Sequence, residues 1–494
     1  MKRADARRFL LVLVGVMICS TVLLVFRCTM DINELDMPIV PLSHSAPVPE
    51  RLTANDDTLK LSLQLAKEIR TANAEEKMRL NMTSSHQSVT CTDCVNHQVD
   101  VLDFMQRAAT SLVDPVFYSN EFEVVPFTRF TLDRLYPVDP GLGRRVIEKP
   151  IGYRKREIRT VIEYTVNRLT QRTGQNYSAS DFLEGICRAV PGIGTQYELY
   201  FRDRKQYRKV VVALPNLSPF VVGDETVPVH RDIVHVIVAL SQRVDTFQQF
   251  LKRFEQLAAR DNSVELTVVY FGNVGLKQVQ TLVREFNSNQ NSDKVHLLMT
   301  SEKFSRGRGL QIGADSLQNN SLLFMCDVDI VVTSSFLERC RLHASQGRSV
   351  YYPIIFSLYN PAITSQLQDK KTSPSKPLIT RDAGFWRDFG YGMTCQYRAD
   401  FLTVGGFTDD IDSNQSASGW GLEDVRLYRK HLNSGNVTVV RATDPGIFHI
   451  WHEKTCPRSL PKDQYKGCLR SRALSEASHA QLGMLLLRRT QTTP

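Results

Sequence analysis

The chain has 494 residues, of which 42% are hydrophobic, so it can build a large core and is not disordered over most of its length. It carries 61 Lys and Arg against 52 Asp and Glu, a formal net charge of +9. This positive charge favours an anionic partner. Composition alone does not distinguish nucleic acid, a membrane surface and an acidic glycan. Only one stretch is long and apolar enough to span a bilayer, which excludes a polytopic membrane protein.

That stretch runs from Phe9 to Phe26 and reads FLLVLVGVMICSTVLLVF, after an N-terminus in which basic residues outnumber acidic ones. A helix of this length rises about 27 Å, which fits a thin membrane of the secretory pathway. By the positive-inside rule we expect a cytosolic tail over residues 1–8, a signal anchor over 9–26 and a lumenal body, the topology of a single-pass type II protein. A cleaved signal peptide is the weaker alternative, because no small-x-small cleavage site follows the apolar run.

The cysteines and glycosylation sequons agree with a lumenal body. Eight of the ten cysteines follow the anchor, an even number that fits disulfides in an oxidising compartment, although the sequence does not reveal the pairing. Cys456 and Cys468 are near enough in sequence to link one segment locally. Candidate N-glycosylation sites are Asn81, Asn176, Asn216, Asn319, Asn414 and Asn436.

Residues 27–95 are predicted to form a stem. Leu52, Leu59 and Ala66 recur at seven-residue spacing, so this segment is either a short coiled coil holding a homodimer or one marginal surface helix. Residues 96–230 contain no catalytic motif and are predicted to be an accessory lumenal subdomain. Within it, the pattern predicts a helix over 154–172 and a strand over 209–214.

Residues 231–494 show a regular alternation of strands and helices. The predicted strands cover 233–240, 266–271, 295–299, 321–326 and 349–356, and the predicted helices cover 244–260, 276–286, 308–317 and 334–344. This pattern predicts an α/β domain with a mostly parallel sheet and helices on both faces. Such sheets bind ligands beyond the carboxyl ends of their strands. The glycine-rich signatures of dinucleotide-binding and Walker-type sites are absent from the sequence.

The first chemical motif is Asp327-Val328-Asp329, which follows the apolar run SLLFMC. Two carboxylates one residue apart at the end of a buried strand offer hard oxygen ligands, which suit Mn2+ or Mg2+ bridging a diphosphate. Because the motif is short, the alternative is a strand end with solvated acidic residues. Its position after a buried strand favours the functional interpretation.

The second motif is GWGLED, from Gly419 to Asp424. Glycines on both sides of Trp420 allow a tight turn that presents an aromatic face, on which sugars stack. Glu423 and Asp424 add carboxylates for acceptor hydroxyls. The alternative is a helix N-terminus whose acidic residues only complement the helix dipole.

The third motif is FHIWHE, from Phe448 to Glu453. His449 and His452 are three residues apart. A single histidine is more often a structural residue than a ligand, but two of them in a chain with a DVD motif favour a metal site. Neutral imidazole suits Mn2+ better than Ca2+.

A basic segment lies between the DVD and GWGLED motifs and contains Lys370, Lys371, Arg381 and Arg387. It is rich in Ser, Pro and Lys over 368–377. The composition predicts either a mobile loop that attracts the carboxylates of an acidic acceptor or an ordinary solvated surface loop.

The three motifs in this order resemble those of the β1,4-galactosyltransferase superfamily, which has the GT-A fold, and the chain is more similar to the chondroitin N-acetylgalactosaminyltransferases within it. The similar segments are Met325 to Leu342, Tyr351 to Pro361, Ser418 to Tyr428, Ile447 to Pro457 and Asp463 to Leu487. The bifunctional chondroitin synthases also resemble it. They carry a second complete transferase domain, for which residues 95–230 are too short.

The resemblance implies roles around a metal ion. Asp329 is expected to ligate Mn2+ directly and, with Asp327, to contact the donor nucleotide. His452 matches the metal-binding histidine of the family. His449 falls where the galactosyltransferases use a methionine ligand, so it is expected to be a further ligand.

The resemblance also implies roles for five residues around the two substrates. Arg243 and Arg306 fall where the superfamily places basic residues that bind the uridine and phosphates of the donor. Asp424 matches the catalytic base. Trp420 and Glu423 match residues that contact the acceptor. Leu422 replaces a glycine of the galactosyltransferases, which leaves their acceptor preference unsupported.

The implied reaction is an inverting, Mn2+-dependent transfer of N-acetylgalactosamine from UDP-GalNAc, in β1,4 linkage, to glucuronate of a proteoglycan linkage region or of a growing chondroitin chain. The implied surroundings are the Golgi membrane and a homodimer or a complex with a chondroitin synthase, with no role for nucleic acid. The alternatives are a non-catalytic partner of a chondroitin polymerase and a β1,4-galactosyl- or glucuronyltransferase of the same superfamily.

Overall fold

The computed structural model describes residues 118, 120–138, 145–190, 194–204, 206–214, 219–227, 232–290, 292–365, 379–407 and 423–491. All of them belong to one compact unit, Gln87–Pro494. The predicted cytosolic tail, anchor and stem lie outside the described residues. Among the residues described, no helix combines the length and the apolar character needed to cross a membrane.

The described residues before position 230 form an antiparallel sheet with a helix packed on it. The elements are β1 (Thr128–Phe130), β2 (Leu135–Tyr136), α1 (Gly152–Thr173), β3 (Phe182–Val190), β4 (Gly194–Asp203), β5 (Gln206–Leu214) and β6 (Phe220–Val227). The strands pair in the order β2-β1-β3-β4-β5-β6. Ile158, Ile162 and Leu169 form the buried face of α1 against this sheet. The predicted helix over 154–172 and strand over 209–214 are therefore confirmed.

The residues after position 231 form a nine-stranded sheet flanked by helices. Its strands are β7 (Val234–Leu240), β8 (Val264–Phe271), β9 (Val295–Thr300), β10 (Leu322–Cys326), β11 (Ile330–Val332), β12 (Ser349–Leu358), β13 (Gly384–Arg387), β14 (Thr394–Tyr397) and β15 (Thr438–His449). Its helices are α2 (Val244–Ala258), α3 (Leu276–Gln290), α4 (Arg306–Asp315), α5 (Ser334–His343), α6 (Pro361–Thr364), α7 (Arg398–Thr403), α8 (Glu423–Ser434), α9 (Lys462–Leu474) and α10 (His479–Gln491). Every strand and helix predicted between 233 and 356 is present.

The expectation of a mostly parallel sheet is confirmed for the longer strands, although the sheet is mixed because three short strands run the other way. Its main path is β11-β15-β12-β14-β10-β7-β8-β9, with β13 paired to β12. The pairs from β10 through β9 and the β12–β15 pair are parallel, whereas β11, β13 and β14 pair antiparallel with their neighbours. These antiparallel strands are only three or four residues long. So short a strand carries no periodic signal, and its direction depends on its neighbours.

Helices cover both faces of the sheet, as predicted. Side chains alternate along β7, so Val236 and Val238 point to one apolar cluster and Ile237 points to another. The first cluster contains residues of α2, α3 and α5, and the second contains residues of α4, α7 and α8. The α/β class with a sheet between two helical layers is therefore confirmed.

Two glycines bring α4 unusually close to the sheet. A Cβ on Gly309 would lie 2.6 Å from the Cβ of Ala239, and one on Gly313 would collide with Ile237. The helix can therefore approach β7 only because these positions lack side chains. This approach sets the first residue of α4, Arg306, at the edge where the parallel strands end.

Two disulfides are present among the described cysteines. Cys340 of α5 is bonded to Cys395 of β14, and Cys456 to Cys468. The predicted local link between Cys456 and Cys468 is confirmed. Cys326, at the end of β10, is a free and buried thiol.

A buried charged network, comprising Arg129, Glu184, Arg339 and Asp444, joins elements of the two sheets. Glu184 Oε1 lies 2.5 Å from Arg129 Nη1 and 2.9 Å from Arg339 Nε, and Arg339 Nη1 lies 2.7 Å from Asp444 Oδ1. The Tyr351 hydroxyl donates to the other oxygen of Asp444 at 2.8 Å. Burial alone would raise the pKa of Glu184, but Arg129 and Arg339 lower it to about 2. The network therefore stays ionised and paired at neutral pH.

Candidate active site

The DVD motif lies directly beyond the end of β10, as predicted. Asp327 is half-buried and Asp329 is only 8% exposed. The backbone carbonyl of Asp329 accepts a hydrogen bond from Ile450 N–H at 2.9 Å, and the next residue, Ile330, pairs with His449. This antiparallel pairing of β11 with β15 brings the FHIWHE motif next to Asp329, the second carboxylate of the DVD motif.

Asp329, His449 and His452 form a cluster that can hold a metal ion. Asp329 Oδ2 lies 3.2 Å from His452 Nε2, and Asp329 Oδ1 lies 4.0 Å from His449 Nε2. One candidate ligand atom from each of the three residues lies within 4.8 Å of the others. A carboxylate with two imidazoles is a donor set that suits Mn2+ and other first-row transition metals. The three residues therefore fit the divalent ion that the sequence predicts.

The electrostatics of the cluster favour the ligand forms of its side chains. Burial alone would raise the pKa of Asp329, but the hydrogen bond from His452 and neighbouring positive charge, including that of Arg243, bring it below its usual value. Burial, and next to it the charge of Arg387, lower the pKa of His449 to about 3. Asp329 is therefore ionised and His449 neutral at physiological pH, as metal ligation requires.

Arg243 lies at the same edge, immediately before α2. Its Nη1 is 3.5 Å from Asp329 Oδ2, and its side chain is 45% exposed. Arg243 and the preceding Gln242 both adopt left-handed backbone, with φ of 39° and 57°. Non-glycine residues rarely adopt this conformation, and it concentrates at functional sites. The turn after β7 thus directs a partly accessible guanidinium toward the predicted metal ligands.

Arg306 connects the first motif with the second. Its Nε lies 2.5 Å from Asp327 Oδ1, its Nη1 lies 3.7 Å from Glu423 Oε1, and its Nη2 donates to the Gly392 carbonyl at 2.7 Å. Burial alone would lower the pKa of Arg306, but Asp327 and Glu423 raise it. Burial raises the pKa of Glu423. Arg306 thus forms ion pairs with Asp327 of the DVD motif and with Glu423 of the GWGLED motif, and so keeps the two carboxylates near each other.

Asp424 and Glu423 begin α8, where acidic side chains also complement the helix dipole. Asp424 Oδ1 accepts from Val425 N–H at 2.9 Å, and Oδ2 accepts from Tyr391 N–H at 3.3 Å. Each oxygen keeps a second lone pair for a substrate hydroxyl. Trp420 lies outside the described residues, so its role stays a prediction.

Sequence reasoning misplaced Arg387 and missed Ser357. Arg387 does not belong to a surface loop with Lys370 and Lys371, because it ends β13 and pairs with Ile355 of β12. Its Nη2 donates to Ser357 Oγ at 2.9 Å, and this oxygen lies 3.2 Å from His449 Nδ1. No local motif marks either residue, since β12 and β13 meet only through sheet pairing.

Known proteins are similar to this chain over most of its length. The model of a family described as chondroitin N-acetylgalactosaminyltransferase matches residues 54–482. Human chondroitin sulfate N-acetylgalactosaminyltransferase 1 is 42% identical over 405 residues, which cover 79% of this chain and 75% of the relative. Human chondroitin sulfate N-acetylgalactosaminyltransferase 2 is 41% identical over 389 residues, which cover 75% of this chain and 70% of the relative.

Similarity to solved structures is weaker. A mannosyltransferase from Pyrobaculum calidifontis in complex with GDP-Man and Mn2+ is 14% identical, with a TM-score of 0.33. The alignment covers 50% of this chain and 63% of that chain.

Proposed function

Because the chain belongs to the chondroitin N-acetylgalactosaminyltransferase family, we propose that it transfers N-acetylgalactosamine from UDP-GalNAc to glucuronate of a chondroitin-type acceptor in β1,4 linkage. The observation that supports this most directly is the convergence of Asp329, His449 and His452 at one sheet edge, with Arg306 joining Asp327 to Glu423. This convergence supports a donor-side site next to an acceptor-side helix.

On the donor side, Asp329, His449 and His452 would hold Mn2+. When bound, such an ion supplies positive charge that offsets the negative charge of the departing UDP. Arg243, beside Asp329, and Arg306, on Asp327, bring two guanidinium groups to the same edge. They are suited to bind the donor phosphates, since guanidinium matches the geometry of phosphate oxygens.

On the acceptor side, Asp424 takes the proton from the attacking hydroxyl of glucuronate. The backbone N–H groups of Tyr391 and Val425 fix its orientation. Glu423 and Trp420 orient the acceptor sugar. A single base with in-line displacement inverts the anomeric centre, so an α-linked donor gives a β product. A general base of this kind contributes about 10²–10⁴-fold in rate.

The test is a donor screen with a glucuronate-terminated acceptor, with Mn2+ present or chelated. We expect transfer from UDP-GalNAc that stops when the metal is chelated. Equal or better transfer from UDP-Gal or UDP-GlcA would assign a different donor. Metal-dependent UDP binding without any transfer would instead identify a non-catalytic partner of a chondroitin polymerase.

The proposed setting is the Golgi membrane, with the N-terminus cytosolic and the body lumenal. This rests on the apolar run over residues 9–26 and the basic residues before it. Protease protection of a tag at each end of the full chain tests the topology. Digestion of the C-terminal tag in intact vesicles would contradict it.

A further inference from the structure

Arg387 is a positively charged residue beside the predicted metal ligands. None of the three sequence motifs contains it. It ends β13, and its Nη2 donates to Ser357 Oγ at 2.9 Å. Ser357 Oγ in turn lies 3.2 Å from Nδ1 of His449, whose Nε2 faces Asp329. The guanidinium is thus held two hydrogen bonds away from a predicted metal ligand.

The charge of Arg387 is not balanced by a direct partner. Among the described residues, no carboxylate lies within 4.0 Å of its guanidinium nitrogens, its ring contacts are with the uncharged Phe385 and Phe389, and its buried Nε has no hydrogen-bond partner. Asp329 and Asp327 are close enough to act on its pKa, which burial nevertheless lowers below the usual value. A buried cationic N–H without a partner is costly, so this position favours an additional anion.

A second cation follows the third motif. Lys454 lies two residues after His452 and is buried, with its Nζ donating to Ser471 Oγ at 2.8 Å. It adds positive charge to the segment that carries a predicted metal ligand, which favours an anion there.

We propose that Arg387 contacts the diphosphate of the nucleotide-sugar donor and stabilises it as the leaving group, a role that rests on the proposed function. Ser357 links Arg387 to His449, which is on the metal side of the site. A diphosphate bound at the metal would therefore lie next to this guanidinium. Ser357 acts as a positioning residue that fixes the guanidinium.

The experiment measures UDP, UMP and Mn2+ binding by calorimetry for the full chain and for the variants Arg387→Gln, Arg387→Lys and Ser357→Ala. Arg284→Gln, on the exposed side of α3, is the matched control. For Arg387→Gln we expect UDP affinity at saturating Mn2+ to fall about tenfold or more, since hydrogen bonds to charged groups are the strong ones. Arg387→Lys keeps the charge and should lose less, while UMP and Mn2+ binding stay unchanged.

The outcomes separate this proposal from the proposed function. If the unmodified chain binds no UDP with Mn2+, the proposed function fails first. If the unmodified chain binds UDP and Arg387→Gln binds it equally well, the contact is wrong. A loss of Mn2+ affinity without nucleotide would show that Arg387 acts only through His449, and a change confined to the acceptor KM would assign it to the acceptor. Should Arg387→Gln fail to fold, Arg387→Lys and Ser357→Ala decide the question by the same measurements.

Discussion

The buried charged network and the candidate active site differ in how completely their charges are paired. In the buried charged network, Glu184 contacts both Arg129 and Arg339, and Asp444 contacts Arg339 and Tyr351. At the candidate active site, by contrast, Arg243 and His452 are partly exposed. The same residue types thus serve two purposes. Where every charge has a buried partner the cluster holds the fold together, and where partners are missing or accessible it is suited to a ligand.

The largest expected effect is on metal and nucleotide binding at the candidate active site. Asp329→Asn should reduce metal-dependent UDP binding and transfer by more than about 100-fold, because loss of groups that merely support metal ligands already costs 10–100-fold. The fold should persist, since the amide keeps the shape and polarity of the carboxylate. Calorimetry with Mn2+ and UDP, together with a thermal melt, checks both parts. His452→Ala should behave alike, and unchanged Mn2+·UDP affinity in both variants would contradict the metal assignment.

The second prediction separates chemistry from binding at the same site. Asp424→Asn should lower kcat by about 10²–10⁴-fold and leave UDP affinity intact, because an amide orients a hydroxyl but cannot accept its proton. Steady-state kinetics with a glucuronate-terminated acceptor measures this. Glu423→Gln is the adjacent control and should act mainly on the acceptor KM. Retention of more than about a tenth of kcat in Asp424→Asn would point to another base.

The third prediction tests how much the buried charged network contributes to stability. Glu184→Gln leaves two buried arginines without their shared carboxylate, which should cost about 3–5 kcal/mol in the free energy of unfolding. Denaturant titration measures this loss. The matched control is Glu148→Gln, which removes a carboxylate paired with the largely exposed Arg145 and should cost at most about 1 kcal/mol. Equal losses in the two variants would mean that burial does not distinguish the pairs.

The smallest expected effect is the pH dependence of the same network. The pKa of Glu184 is about 2 in the folded protein, against 4.5 as its ordinary value. Because the folded pKa is depressed, the group contributes stability fully above pH 4.5 and loses it as the pH falls toward 2. The contribution is about 3 kcal/mol at neutral pH. The unfolding free energy of Glu184→Gln should therefore fall less steeply between these pH values, and parallel curves would refute this.

The regions that sequence reasoning predicted well are those in which the signal is local. The apolar residues of α2 recur on one face and predict a helix, and the apolar run before Asp327 predicts that this residue and Asp329 follow a buried strand. The disulfide between Cys456 and Cys468 closes a separation of only 12 residues. Each of these features depends on residues close together in the chain.

The sequence by itself determined the α/β class between 233 and 356 and the order of the three motifs, because periodicity and short spacing are properties of neighbouring residues. Only the tertiary structure decided that β11 pairs with β15 to bring His449 to Asp329, and that Arg306 joins Asp327 to Glu423. It also decided the position of Arg387 on Ser357 and the full pairing of Glu184. These contacts depend on which strands become neighbours in a mixed sheet, and strand order and direction are set by packing of the whole domain.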